Sequence, residues 1–317
     1  MAEPQPGAMR IPGRQMGEQR RVETGTSRTA EWVCVTRACS YHERNPCRHS
    51  NDWVAAAILP PFLRVGARTG LFRRMWARLG PKGMYAWVVA RTRYVDDVFE
   101  RTGPSMAQVL IMGAGYDSRA IRFRDQLRSA RVFELDAPKP QADKRRGLAL
   151  RKLDVPENLV FVPVDFETES AAERLAEAGF VGGKATLYLL EGLTMYLEPA
   201  TIDETFRLIG SSAGPGSVLV FDYAYASVIE GVGGGYGSAG TAESAAKAGE
   251  AWRFGIAKGG VAEFLARYGF EVADEASPET LEGRYLTDPS GRLAGRVNAT
   301  QALVTARRIG AGHDPVA

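Results

Sequence analysis

Cysteine and histidine are scarce, with three of each in 317 residues. Cys34, Cys39 and Cys47 fall close together with His42 and His49 among them, and zinc accepts such a set. Their spacings match no zinc pattern, and Cys34 sits in a helix-like run where a buried small hydrophobe is ordinary, so no metal is expected. Few cysteines and no export signal favour reduced thiols and a cytoplasmic setting. Long apolar runs are missing as well. VAAAILPPFL, from Val54 to Leu63, is interrupted by Pro60 and Pro61 and is far too short to cross a bilayer. Neither sign of charge dominates, with 40 Lys and Arg against 37 Asp and Glu. Only the front of the chain and the cluster Arg64, Arg68, Arg73, Arg74, Arg78 are markedly basic, and the cluster reads as a solvated face or an interface. No nucleic-acid partner and no membrane partner is therefore expected, and a homodimer is left open.

Residues 1–25 hold Arg10, Arg14, Arg20 and Arg21 with almost no apolar pattern, which reads as a flexible basic tail. With 45% hydrophobic and 24% charged residues, the remaining 26–317 can bury one large core, and a single domain is expected there. Residues 26–90 are helical in pattern and read as a cap. Residues 224–258, with the glycine-rich IEGVGGGYGSAGTAES from Ile229 to Ser244, read as a mobile lid with no stiff element in that stretch. A plain flexible linker is the competing account.

The most informative stretch is VLIMGAGYDSRAIRF, from Val109 to Phe123. Four apolar residues lead into Gly113 and Gly115 and then into a segment able to start a helix. Gly113 permits a sharp turn and Gly115 lets backbone N–H groups approach a ligand, the way nucleotide-like molecules are held beyond a first strand. Ser118 stands where a dinucleotide-binding loop has its third glycine, which disfavours NAD or FAD. RVFELD follows and ends in Asp136, placed at the tip of a second strand to accept hydrogen bonds from a ribose diol. Glu134 shares its face and reads equally as a core-margin carboxylate.

Further strands are expected at 159–165, 185–192, 217–223, 270–275 and 299–308, with helices between them near 169–178, 199–210 and 260–268. Alternation of apolar strands and helices predicts an α/β fold, a seven-stranded, mostly parallel sheet with helices on both faces. The last strand carries polar and basic residues suited to an antiparallel edge.

Several motifs together resemble one family. ARTRYVDD (90–97), LIMGAGYDSR (110–119), FELDAP (133–138), VPVDFE (162–167), LLEGLTMYL (189–197) and GEAWRFGIAKGGVAEFLARYGF (249–270) look like the leucine carboxyl methyltransferase family, in that family's order. SRTAEWVCVTRA (27–38) is similar to the entry helix of its bacterial branch of small-molecule O-methyltransferases. The resemblance implies the Rossmann-like class I methyltransferase fold and S-adenosyl-L-methionine (AdoMet) as cofactor. It places Arg91 at the methionine carboxylate, where a guanidinium fork is the natural partner. It places Gly113 and Gly115 at the loop contact, Asp136 at the ribose, Asp165 and Phe166 beside the adenine, and Glu191 facing the cationic methionine end. Trp252 and Phe254 match a motif bordering the acceptor pocket.

Methyl transfer from a sulfonium needs an acceptor aligned with methyl and sulfur, and water kept out. A carboxylate acceptor is already ionised, whereas a phenol or alcohol needs a base. His42, His49 and His313 lie outside the strand-end motifs, which favours a carboxylate or an acidic phenol as acceptor; for an alcohol, Tyr94, Tyr196, Tyr223 or a carboxylate could still take the proton. Tyr196 is expected nearest the acceptor. The expected function is O-methylation of a small molecule, a carboxylate or phenolic intermediate of secondary metabolism. The alternatives are a protein C-terminal carboxyl methyltransferase and a non-catalytic AdoMet-binding scaffold.

Overall fold

Almost unbroken apolar sequence in β1 (Gln108–Met112), β4 (Thr186–Leu190) and β5 (Val218–Tyr225) leaves each of these strands buried along its whole length. A strand sealed on both faces belongs inside a parallel sheet with helices above and below. The computed structural model describes residues 28–309 apart from Glu167 and Ala248. The basic tail expected over 1–25 and His313 lie outside the described residues.

The sheet runs in the order β3-β2-β1-β4-β5-β8-β7, with β2 at Arg131–Asp136, β3 at Leu159–Pro163, β7 at Phe270–Ala276 and β8 at Gln301–Arg308. Strands β1 to β5 pair in parallel. The chain leaves β1 toward β2 on one side and later adds β4 on the other. The crevice at the carboxyl ends of β1 and β4 is thus the topological switch point, where open α/β sheets bind ligands.

Two expectations are corrected. The last strand is antiparallel but not an edge, because β8 lies between β5 and β7. Its Thr305 is satisfied inside, buried and bonded to the Tyr94 hydroxyl at 2.8 Å, while Arg307 stays exposed. The edge on that side is β7, whose exposed residues alternate with half-buried ones between buried ends. The seven strands are joined by a two-residue eighth, β6 (Gly255–Ile256), parallel to the end of β5.

Five helices precede the sheet: α1 (Arg28–Tyr41), α2 (Trp53–Ile58), α3 (Pro61–Arg68), α4 (Gly70–Leu79) and α5 (Met84–Thr102). Pro60 and Pro61 separate α2 from α3, and Pro61 opens α3 at a position where its missing N–H costs nothing. The helix that carries residue 90 continues to Thr102. Its Trp87, Val88, Val95 and Phe99 pack in one core with Val109, Ile111, Leu187, Leu189, Val218 and Val220 of the sheet. The opposite face, with Leu110, Met112, Tyr188, Leu190, Phe221 and Tyr223, is covered by α9 (Pro199–Ser212) and α12 (Val261–Ala266).

After β5 come α10 (Ala226–Ile229) and α11 (Thr241–Lys247), so the stretch expected to hold no stiff element starts a helix at Thr241. Buried Asn298 ties this segment down. Its Nδ2 donates to Lys82 O at 2.8 Å, Gly237 O at 3.0 Å and Thr241 Oγ1 at 3.1 Å.

Candidate functional site

The turn after β1 is built on left-handed backbone, with φ of +63° at Gly113 and +46° at Gly115. Such angles favour glycine, which has no Cβ to clash. A Cβ at Gly113 would sit 2.9 Å from Leu193 Cδ1, whereas one at Gly115 would point into nearly open space. The loop is locked to the next strand tip. Gly113 N–H donates to Leu135 O at 2.8 Å, and Gly115 N–H donates to Asp136 Oδ2 at 2.5 Å. Ala137 N–H donates to Asp136 Oδ1 at 2.8 Å. Burial pushes the Asp136 carboxyl up and these two N–H bonds partly offset it. Each Asp136 oxygen accepts one of these bonds and, as a carboxylate oxygen, has capacity for a second.

The short helix after this loop, α6 (Arg119–Arg122), is a single turn. It gives little of the helix dipole on which a pyrophosphate site depends. Ser118, where a dinucleotide loop has glycine, is buried and donates to Asp52 Oδ1 at 2.8 Å.

Strand register explains the next group. Ile111 pairs with Leu189 and Leu190 with Phe221, so Glu191 lies level with Gly113, two steps beyond the first pair, and with Asp222, one step beyond the second. Side chains alternate along β5, so Asp222 faces the same side as Val218 and Val220, toward α5. There it meets Arg91. The Arg91 Nη1 donates to Asp222 Oδ2 at 2.7 Å, and Nε lies 3.0 Å from Glu191 Oε1. The other Asp222 oxygen accepts from Gly192 N–H at 2.7 Å. Gly192, with φ +65°, lets the guanidinium lie close: a Cβ there would be 3.2 Å from Arg91 Nη1.

Glu191 is also paired with Arg119, whose Nη1 lies 2.6 Å from Oε2. Arg119 is fully buried and further bound to Asp117 and, at 2.8 Å, to Asp96 Oδ1. Arg122 clasps the two oxygens of Asp96 at 2.7 Å each. Arg37 of α1 reaches Asp52 Oδ2 at 2.8 Å and Tyr116 O at 2.7 Å, joining the cap to the glycine loop. Burial pushes the Glu191 carboxyl up, but Arg119 and Arg91 outweigh it and hold it below the usual carboxylate range. Asp117 is held down against burial by Arg119 in the same way. Burial disfavours the Arg91 cation, and Glu191 with Asp222 more than restores it.

The candidate residues thus divide. Arg91, Gly113, Gly115, Asp136 and Glu191 come together at the tips of β1, β2 and β4. Asp165 follows β3 at the same edge, its N–H donating to Glu169 Oε2 at 2.8 Å, and Phe166 beside it is half exposed. Tyr196 ends a turn of 3-10 helix after β4. Trp252 and Phe254 are brought alongside because Arg253 N–H and Phe254 N–H both donate to Met195 O, at 2.7 and 3.3 Å. The buried Trp252 indole N–H approaches the Tyr196 hydroxyl without completing a well-aligned hydrogen bond. Burial pushes the Tyr196 hydroxyl up to about 12.

Tyr94 and Tyr223 are not part of this group. Tyr94 is sealed between α5 and β8 on Thr305, and Tyr223 points to the opposite face, donating to Glu275 Oε1 at 2.6 Å. Their expected place at the acceptor is corrected: strand alternation turns Tyr223 away from Asp222, and the helix turns Tyr94 toward the sheet interior. Arg119, Asp96 and Asp222 were missed. A carboxylate inside the otherwise apolar VLVF-Y run was the available signal for Asp222.

Arg119 Nη2 and Trp252 Nε1 are buried without a hydrogen-bond partner, and Arg91 Nε is held only by its ion pair with Glu191. With an open glycine loop and a carboxylate at the next tip, this donor set fits a ligand with an anionic end, a diol and a cationic centre. The cysteine cluster offers nothing comparable. Cys34 and Cys39 are buried in the core, their thiols pushed up to about 11 and about 12 by burial. Among the described residues no group of three or more His, Cys, Asp and Glu side chains is gathered to hold a metal.

Comparison with known proteins adds a family. The family model described as "Leucine carboxyl methyltransferase" matches residues 30–210, more than half of the chain. A Mycolicibacterium smegmatis protein is 38% identical over 133 residues, which are 42% of this chain and 41% of that protein. A Bacillus subtilis protein is 29% identical over 190 residues, 59% of this chain and 61% of that one. Both carry the name "Putative S-adenosyl-L-methionine-dependent methyltransferase". The matches thus span about half the length of these relatives. Among solved structures, a "putative methyltransferase" from Thermobifida fusca superposes with a TM-score of 0.56 at 15% identity, covering 88% of this chain and 94% of that one. That likeness establishes the fold, a Rossmann-like class I methyltransferase sheet.

Proposed function

Because this chain belongs to the leucine carboxyl methyltransferase family, we propose that it is an AdoMet-dependent O-methyltransferase acting on a carboxylate or phenolic oxygen of a small molecule in secondary metabolism. The observation that carries this reading is the seating of Arg91 on Glu191 and Asp222, level with the glycine turn and next to the tip that bears Asp136. Bound AdoMet supplies an electrophilic methyl on a sulfonium. The protein's own work is then to bind, align and dry the site.

Asp136 accepts from the ribose hydroxyls with the capacity its loop bonds leave over. Arg91 offers its fork to the methionine carboxylate, while Glu191 balances the ammonium beside it. Gly113 and Gly115 keep the loop close to the ligand. Asp165 and Phe166 border the adenine, one as an acceptor for the exocyclic amine and the other as an apolar cover.

Tyr196 supports one acceptor class over the others. A hydroxyl pushed up to about 12 stays protonated near neutral pH and is a hydrogen-bond donor, not a base. It can hold an acceptor oxygen in line without taking a proton from it, and this favours an acceptor that arrives ionised, above all a carboxylate. Trp252 and Phe254 beside it exclude water from the transfer zone.

The test is mass spectrometry of the protein incubated with AdoMet against a panel of small carboxylic acids, phenols and alcohols, with peptides bearing a free C-terminus as a further arm. Gain of one methyl on a small acid or phenol is the expected result. Methylation confined to the peptides would replace this substrate class.

A further inference from the structure

Cap helices α3 and α4 are apolar on two sides, and only one side is used by the core. Their inner faces pack inward through Leu63, Phe72, Trp76 and Ala77. Trp76 stacks on Trp32 and Phe72, and its Nε1 donates to Thr36 Oγ1 at 3.0 Å. Arg73 is buried between the two helices and donates to Ala67 O at 3.1 Å and Arg68 O at 2.9 Å. The pair is therefore a fixed hairpin, and the outward set of its side chains follows from that packing.

Outward, the hairpin shows Phe62 at 73% exposure, Val65 at 61%, Leu71 at 80%, Met75 at 48% and Leu79 at 64%. Nearly half of the large exposed hydrophobic residues of the described chain thus stand on these two short helices, whereas singly scattered ones would need no explanation. Helical spacing puts Leu71, Met75 and Leu79 on one stripe with Arg74 and Arg78, and Phe62 and Val65 on one with Arg68. The exposed arginines Arg68, Arg74 and Arg78 are joined by half-buried Arg64. No aspartate or glutamate occurs anywhere from Trp53 to Val95.

We infer that the outer face of α3 and α4 docks on an anionic lipid surface. Aliphatic and aromatic side chains interleaved with arginines on one face match what lies in a bilayer interface: the apolar groups enter the acyl boundary and the guanidinium groups reach lipid phosphates. A second copy related by a two-fold axis would bring arginine against arginine. A nucleic-acid backbone would leave Leu71 and Phe62 without apolar contact. The contact is peripheral, since no helix among the described residues is long and apolar enough to cross a membrane. This departs from the sequence expectation of no membrane partner, which rested on the shortness of the apolar run and says nothing about a surface contact.

The test is flotation of the full chain with vesicles of phosphatidylglycerol and phosphatidylcholine, and with phosphatidylcholine alone. The protein should float with the anionic vesicles at low salt and about ten-fold less with the neutral ones or in about 0.5 M NaCl. Leu71→Ser with Met75→Ser, and separately Arg74→Glu with Arg78→Glu, should each reduce flotation about ten-fold while the melting temperature holds, because all four residues are exposed. No flotation with anionic vesicles, or undiminished flotation of both double variants, would overturn the inference. So would light scattering that showed a dimer converted to monomer by Leu71→Ser with Met75→Ser.

Discussion

Glu191 at the tip of β4 and Arg119 behind it form an ion pair of 2.6 Å in which the arginine has no exposure to solvent. Arg119 also holds Asp117 and Asp96, so one cation fixes three carboxylates from the glycine loop, the cap helix and the sheet. Removing it leaves Asp117 without its ion-pair partner, Glu191 with Arg91 alone and Asp96 with Arg122 alone. Arg119→Ala should lower stability by about 3–5 kcal/mol, the cost of breaking a buried pair from one side, read from urea unfolding midpoints. A loss under about 1 kcal/mol would mean that the carboxylates repartner with water.

Arg91→Ala and Asp136→Ala address the two ends of the proposed cofactor. Each should weaken AdoMet binding by about 1–3 kcal/mol in calorimetric titration, the usual loss of a charged hydrogen bond. Unchanged affinity in both variants would remove the cofactor from this crevice.

The two loop glycines should behave differently when given a side chain. Gly113→Ala meets Leu193 at 2.9 Å and a φ of +63°, and should cost about 1–2 kcal/mol of stability. Gly115→Ala has space for its Cβ beside the glycine loop and carries only the left-handed strain of φ +46°. It should lose cofactor affinity by a larger factor than Gly113→Ala loses stability. Thermal melts with and without AdoMet separate the two effects.

Glu134 gives a pH dependence of known sign. Burial pushes its carboxyl from 4.5 up to about 7, although Lys144 Nζ sits 2.6 Å away and pulls the other way. The folded protein holds this proton more tightly than the unfolded chain does. Its contribution to stability is therefore fully present below pH 4.5 and is lost as pH rises through about 7. Asp52, Asp117 and Glu191 have depressed values and act oppositely, with stability lost as pH falls through the acid range. The parent protein should lose up to ~3 kcal/mol between pH 4.5 and 7, and Glu134→Gln with Lys144→Gln should remove that fall. Identical pH profiles for the two proteins would show that Glu134 is ionised throughout.

Most of this architecture was legible because it rests on local rules. Apolar runs of five to eight residues gave the strands, and glycines before a short polar segment gave the turn that meets Asp136. What escaped depends on partners far apart in the chain. Arg119 looks like any loop arginine until Asp96 and Glu191 arrive from α5 and β4. The polar residues of β8 suggested an edge because sequence does not reveal that Tyr94 waits for Thr305. Tyr94 and Tyr223 were attractive as acceptor-side groups on residue type alone, and alternation across a buried strand turned one of them to the wrong face.

The claim that all else rests on is that the cofactor lies across the tips of β1, β2 and β4, and a crystal structure with S-adenosylhomocysteine tests it most directly. The ribose hydroxyls should be found on Asp136 and the amino-acid end beside Arg91 and Glu191. A nucleoside bound elsewhere, or a crevice closed over these tips by the protein's own side chains, would contradict the account.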